Sequence, residues 1–210
     1  MKRKRKSIIG RLFMLFLLIV LIIGIRYIYM LKKQVTEVNK WQETVSQTAE
    51  EYGISEYEDI VMAIILTETK GNHIDLMQSS ESKYGTTNQI TTSEESIHSG
   101  VAHLAEVINE SNNQGTDIWT AVQAYNFGSN YINYVSKNGN KNTIELAETY
   151  SRDILAPMLG NNTGKQYRYM NPQAFMRNRG YLYENGGNFF YADIVRWNMS
   201  IMKKIDKLPF

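Results

Sequence analysis

The N-terminal segment constrains this chain most, because a dense cluster of bases is followed directly by a long apolar run. Residues 1–33 carry nine Lys and Arg and no Asp or Glu, and the fourteen residues from Leu12 to Ile25 are uncharged. A helix needs about 20 residues to cross a bilayer core, so this run alone is too short. The stretch 8–31 is long enough if Arg11 and Arg26 extend toward the interfaces. We therefore predict one transmembrane helix at 8–31.

A cleaved signal peptide is the alternative interpretation, since a basic start and a short apolar core are also typical of one. No small-residue cleavage site follows the run, which continues through Ile25 and Arg26 to Tyr29. We therefore expect an uncleaved signal anchor in the cell membrane. By the positive-inside rule, residues 1–7 form a basic cytoplasmic tail, and the C-terminal domain of this single-pass protein is extracytoplasmic.

The composition beyond residue 33 excludes several classes of protein. The whole chain has 23 bases and 21 acids, so removing the nine N-terminal bases leaves 14 bases against 21 acids, a net charge of −7. Nucleic-acid binding needs a basic surface and is therefore not expected. The absence of Cys excludes disulfide scaffolds, thiolate metal sites and cysteine nucleophiles. The histidines His73, His98 and His103 lack metal-binding spacing, so we predict no metal and no cofactor.

Helical periodicity dominates the remaining sequence, which predicts a mainly α fold. The stretch 32–49 is predicted to be a stalk or first helix, followed by one domain at 50–204 and a tail at 205–210. N-caps and glycines place further helices at 55–71, 93–114, 117–127, 131–136, 143–158 and 189–204. The polar stretches 72–93 and 160–187 are predicted to be irregular. The predicted buried stripe of the last helix is Phe190, Ile194, Trp197 and Ile201.

Glu68 is the strongest candidate for catalysis. It follows Ile60 and Ile64 by eight and four residues, on the apolar stripe of its helix and near the C-terminal end. Partial burial and the negative end of the helix dipole both raise a carboxyl pKa. A carboxyl group that is protonated near neutral pH can act as general acid in glycoside cleavage. From position alone, Glu68 could also be an ordinary solvated glutamate, and Asp75 could either face it or cap a loop.

Three segments resemble the lysozyme-like, lytic-transglycosylase-related family in their order and spacing. They read I-I-L-T-E-T-K-G at 64–71, D-L-M-Q-S-S-E-S at 75–82 and A-Y-N-F-G at 124–128. The branch that they most resemble is the muramidase domain of the two-domain wall hydrolases carried by Gram-positive conjugative elements. The likeness covers about residues 50–204. It implies a fold like that of goose-type lysozyme and soluble lytic transglycosylases.

The resemblance also implies roles for particular residues. Glu68 falls on the catalytic glutamate of the family, and Asp75 falls on the second carboxylate of the muramidase branch. The implied substrate-binding residues are Thr69, Gln78, Ser79, Ser80, Tyr125 and Asn126. Many transglycosylases have Glu-Ser where this chain has Glu68 and Thr69, and Gly-Leu-Met-Gln where it has Asp-Leu-Met-Gln at 75–78. These departures put the transglycosylase outcome in doubt and leave the general acid in place.

Four tyrosines in the stretch 160–187 have two interpretations. They are Tyr167, Tyr169, Tyr181 and Tyr183. They can pack beneath a long loop, or they can form an aromatic floor on which sugar rings stack.

The implied function is that of a membrane-anchored peptidoglycan glycosidase cleaving the β-1,4 bond between MurNAc and GlcNAc in glycan strands. An N-acetylmuramidase, in which water completes the reaction, is favoured over a lytic transglycosylase, which gives 1,6-anhydro ends. A non-catalytic glycan-binding module is a further alternative. So is an assembly component with partner proteins in a secretion, conjugation or division complex. The sequence ends at Phe210, so no peptidase domain is expected to follow.

Overall fold

The computed structural model describes residues 2–80, 84–86 and 89–208, with side chains from residue 10 onward. Its helices are α1 Lys2–Asn39, α2 Gln42–Glu51, α3 Glu58–Glu68, α4 Ser93–Asn113, α5 Ile118–Phe127, α6 Asn130–Ser136, α7 Ile144–Tyr150, α8 Pro172–Asn178 and α9 Tyr191–Ile205. The strands β1 Gln166–Arg168 and β2 Tyr181–Tyr183 flank α8 in the sequence. A 3-10 turn at Ser55–Tyr57 precedes α3. A π-helical turn at Ser151–Leu155 and a last helical turn at Ala156–Met158 extend α7.

Helix α1 divides into an exposed apolar part and a part that belongs to the folded body. Its part at Gly10–Asn39 is long and apolar enough to cross a membrane. Its residues 10–30 are exposed, whereas Val35 and Val38 are buried against α3 and α9. The stretch 32–49, predicted as a stalk or first helix, forms the end of α1 and most of α2. Val45 of α2 is also fully buried, so this stretch contributes to the core.

Helix α3 is the central helix of the body. Every residue from Ile60 to Leu66 is buried, because α1, α2 and α9 pack around it. The sequence predicts that this helix begins at an N-cap at residue 55. In the structure a 3-10 turn occupies that position, and no side chain caps α3. Glu58 and Asp59 instead place negative charge in the first turn, where the helix dipole favours it.

Helices α4 and α5 form the second layer and begin at side-chain caps. Asp117 accepts a hydrogen bond from the backbone N–H of Thr120, which confirms its predicted capping role. The cap of α4 is Thr92, whose hydroxyl accepts from the N–H of Glu95, one residue before the predicted Ser93. The two helices pack along each other and hold the loop that follows α3 against the body.

The C-terminal part corrects two predictions. The stretch 160–187, predicted to be irregular, contains α8 and a two-stranded antiparallel sheet in which Gln166 pairs with Tyr183. Strands of three residues, with β1 exposed on both faces, leave no apolar alternation to detect. On α9, Trp197 is 56% exposed rather than buried. The stripe that α9 buries consists of Tyr191, Ala192, Ile194, Val195, Met202 and Ile205.

Candidate active site

Glu68 is the last residue of α3 and lies half-buried beside the first turn of α9. The hydroxyl of Tyr191 donates a hydrogen bond of 2.6 Å to its Oε1 atom, although the two residues are 123 positions apart. Tyr191 is 2% exposed and begins α9, so the packing of α9 along α3 places this hydroxyl at the carboxyl group. One oxygen of Glu68 is therefore held by the protein.

The surroundings of Glu68 favour its protonated form. Burial raises the pKa of its carboxyl group, and the negative charge of Asp75 raises it further. The hydrogen bond from Tyr191 and the charge of Lys70 lower this pKa, but the net direction is upward. Burial also raises the pKa of Tyr191 well above its usual range, so its hydroxyl keeps its proton.

Asp75 has the opposite environment, although it is only 5% exposed. Its Oδ1 atom accepts from the backbone N–H of Ser79 at 2.9 Å and from the hydroxyl of Ser96 at 2.7 Å. Its Oδ2 atom accepts from the N–H of Ser80 at 3.1 Å and from the hydroxyl of Ser80 at 2.7 Å. Burial acts to raise the pKa of Asp75, but these hydrogen bonds outweigh it and lower the pKa. One carboxyl group therefore favours the protonated state and the other the ionised state.

The loop that contains Asp75 is fixed to three helices. Thr69, just after α3, donates from its hydroxyl to the carbonyl of Leu76 at 2.9 Å. Tyr125 of α5 donates to the carbonyl of Met77 at 2.9 Å, and Ser96 of α4 accepts from the N–H of Met77 at 3.0 Å. The loop therefore forms a rigid wall beside Glu68.

Aromatic rings and amides pack beside this wall. The rings of Tyr125 and Tyr191 stack at a centroid distance of 6.2 Å and an interplanar angle of 15°. Asn126 is exposed at the end of α5, and its Oδ1 atom accepts from the N–H of Asn188 at 2.8 Å. The hydroxyl of Tyr169 accepts from the amide of Asn188 at 3.1 Å, which places that tyrosine beside the same turn.

The predicted site residues fall into two groups. Gln78 and Asn126 are exposed, although the amide of Gln78 also donates to the carbonyl of Asp75 at 3.1 Å. Ser79 and Ser80 are buried and direct their hydroxyl groups to Asp75 or the backbone, and Thr69 and Tyr125 direct theirs to carbonyl groups of the loop. These four hydroxyl groups, expected to contact substrate, therefore shape the site from behind. Among the residues that the structure describes, no group of His, Asp and Glu could hold a metal ion.

Tyr191 and Ser96 are part of the site and are missing from the sequence prediction. Nothing in the local pattern around Tyr191 distinguishes it from a core residue at the start of a helix. Ser96 does have a signal, because Gly100 follows it by one helical turn on the buried face of α4. A Cβ atom at Gly100 would lie 2.6 Å from the side chain of Met77. Two small residues in that spacing indicate a close approach by another segment.

Comparison with known proteins places this chain among relatives with the same domain. It is 44% identical to pneumococcal vaccine antigen A of Streptococcus pneumoniae, over 83% of this chain and 85% of that protein. It is 40% identical to the bifunctional muramidase/DL-endopeptidase CwlT of Bacillus subtilis, over 55% of this chain and 34% of that enzyme.

A solved structure from Staphylococcus aureus, described as similar to lipoprotein of the NLP/P60 family, has a TM-score of 0.71 and 35% identity to this chain. The match covers 78% of this chain, which spans about half of the S. aureus protein, 52% of its length. The lysozyme-like family model matches residues 35–199. The resemblance carried by the three motifs and the mainly helical fold predicted from periodicity are thus confirmed, and the chain belongs to the lysozyme-like family.

Proposed function

We propose that this chain is a membrane-anchored peptidoglycan glycosidase that cleaves the β-1,4 bond between MurNAc and GlcNAc, with Glu68 as general acid. The observation that carries the proposal is the half-buried Glu68, bonded to Tyr191 and close to an Asp75 carboxylate that accepts four hydrogen bonds. These surroundings raise the pKa of Glu68 and lower that of Asp75. Pairs of carboxyl groups whose pKa values are pushed apart in this way divide acid and charge-stabilising roles. The muramidase named among the relatives supports the same reaction class. Helix α1 would serve as the anchor, with the body outside the membrane.

In this mechanism Glu68 donates its proton to the glycosidic oxygen as the bond to the sugar breaks. Because Tyr191 holds Oε1, the proton is presented from the other carboxyl oxygen. The carboxylate that remains is then stabilised by the Tyr191 hydroxyl and by the charge of Lys70, the two influences that lower its pKa. The exposed amides of Gln78 and Asn126 would bind sugar hydroxyl or N-acetyl groups.

We assign to Asp75 the stabilisation of the positive charge that develops on the sugar. Its carboxylate is ionised, and its charge is close enough to raise the pKa of Glu68. A second carboxylate favours the muramidase outcome, in which water attacks the sugar cation. The lytic transglycosylase outcome is the second candidate, because it needs no attacking water. Four close donors already occupy both oxygens of Asp75, which leaves this residue poorly placed to bind such a water.

Replacing Glu68 by Gln should abolish activity without unfolding the protein. The amide keeps the shape of the side chain but cannot donate the proton, so release of dye from labelled walls should fall by about 100-fold or more. The melting temperature should hold or rise, because the amide cannot ionise and so never incurs the cost of burying a charge. The matched control, Glu94→Gln, changes an exposed glutamate of α4 and should leave activity intact. Full activity of the Glu68 variant would remove this residue from the mechanism.

Replacing Tyr191 by Phe should lower activity about 10- to 100-fold, since a hydrogen bond to a charged group is worth about 1.5–3 kcal/mol. It should also shift the pH profile. A general acid works only while protonated, so activity is lost as pH rises through the pKa of Glu68. The hydroxyl of Tyr191 lowers that pKa, so its loss should move the alkaline limb to higher pH. Tyr131→Phe removes a hydroxyl bonded to Asn142 instead and should leave the limb in place. If the alkaline limb of the pH profile does not move in Tyr191→Phe, the hydrogen bond between Tyr191 and Glu68 is contradicted.

Replacing Asp75 by Asn should reduce activity by 100-fold or more, and should also destabilise the loop by about 1–3 kcal/mol, because the new amide group faces N–H and O–H donors. Ser80→Ala separates the two effects, since it removes a donor but keeps the charge. It should retain activity within about 10-fold of the parent. Mass spectrometry of the products should find reducing MurNAc ends. A fully active Asp75→Asn enzyme that makes only anhydro ends would overturn the muramidase assignment and leave Glu68 in place.

A further inference from the structure

Helix α1 runs from its apolar segment into the folded body without a break. It is helical from Lys2 to Asn39, its side chains are exposed from residue 10 to residue 30, and Leu31 already packs on the core. Val35 and Val38 are then buried at 1% and 0% exposure. Less than two helical turns separate the last exposed apolar residues from the core. No flexible linker lies between the apolar segment and the body.

The end of α1 is attached to the body on two sides. The ammonium group of Lys32 donates to the carbonyls of Ile205 and Leu208 at the end of α9, at 3.4 and 3.3 Å. On the other side, the turn after α3 lies directly on α1, because a Cβ atom at Gly71 would be 2.8 Å from the backbone nitrogen of Val38. Gly71 has a φ of +72°, a conformation that also favours glycine. These contacts fix the direction of α1 relative to the body.

The same contacts limit the distance between the active site and the apolar segment. Leu31, the last residue of the predicted membrane span, is seven residues before Val38, which is a rise of about 10 Å along α1. Glu68 is three residues before Gly71, so their Cα atoms are at most about 11 Å apart. With Gly71 in contact with Val38, Glu68 lies within roughly 25 Å of Leu31.

We propose that the active site is held at a fixed, short height above the membrane and therefore acts on glycan strands at the membrane surface, including strands still attached to a membrane lipid. This inference rests on the proposed function and on α1 as the anchor. An enzyme on a flexible linker could reach the wall at many heights, because the linker samples a range of end-to-end distances. A continuous helix that ends inside the core allows one height only.

The height can be measured without reference to activity. The chain has no cysteine, so Asn72→Cys provides a single labelling site on an exposed residue next to Gly71. In the full-length chain in lipid vesicles, energy transfer from this label to acceptors on lipid headgroups should report a narrow distance within roughly 20 Å. A matched variant carries 18 extra helical residues between Met30 and Leu31, which are five turns and about 27 Å. Its label should lie farther out by that amount.

The substrate is tested with glycan strands that are attached to lipid in the same vesicles. The parent should leave short lipid-linked remnants of narrow length distribution, and the spacer variant should leave longer ones. An 18-residue Gly/Ser spacer at the same place should broaden the distribution. Distances beyond about 40 Å between the label and the lipid headgroups in the parent would overturn the fixed height, since the geometry of α1 limits this distance to roughly 20 Å. Identical remnants from parent and spacer variants would overturn the assigned substrate.

Cleavage of soluble wall fragments in detergent separates these results from the proposed function. The parent and both spacer variants should cleave such fragments equally, because the spacers leave the body unchanged. If the parent fails to cleave them, the glycosidase proposal is wrong, and the label distance still decides the height. If only one spacer variant fails to cleave the soluble fragments, its folded body is damaged. The other spacer variant and the label distance in the parent then test the fixed height.

Discussion

The geometry of the site depends on a buried carboxylate that needs hydrogen bonds. Placing Asp75 at 5% exposure would cost several kcal/mol without compensation, because an ionised group loses its hydration. Backbone and hydroxyl donors of Ser79, Ser80 and Ser96 compensate for that loss. To supply them, the loop 75–80 must close around the carboxylate and lie against α4. The shape of the loop that forms the wall beside Glu68 therefore depends on this one charge.

The same principle explains why two neighbouring carboxyl groups differ. Burial acts to raise the pKa of both, but Asp75 is met by several donors whereas Glu68 receives one strong hydrogen bond, from Tyr191. The ionised Asp75 in turn disfavours a second negative charge at Glu68. The donors around Asp75 thus contribute to keeping Glu68 protonated, which is the state that the proposed reaction needs.

The sequence predicted those features that are local. The helices follow from 3.6-residue periodicity, the cap at Asp117 from its residue type, and the perturbed carboxyl from the position of Glu68 on an apolar helix. Contacts between distant segments could not be predicted in this way. Tyr191 meets Glu68 only because α9 packs on α3. The hydroxyl of Ser80 turns inward to the charge of Asp75, and that of Ser79 to a backbone carbonyl of α4. Phe190 and Ile194 of the predicted stripe are buried. Trp197 was misplaced because the buried face of α9 continues from Val195 to Met202, which leaves position 197 exposed.

The account depends on Glu68 holding its proton, and infrared spectroscopy can observe that proton directly. The carbonyl stretch of a protonated carboxyl group is distinct from the bands of a carboxylate, and subtracting the spectrum of Glu68→Gln isolates the contribution of this residue. Recorded for the full-length protein across a pH titration, the difference band should persist to pH values at which exposed glutamates are already ionised, because burial and the charge of Asp75 raise the pKa of Glu68. A band that disappears with the ordinary glutamates, or at lower pH, would contradict the account.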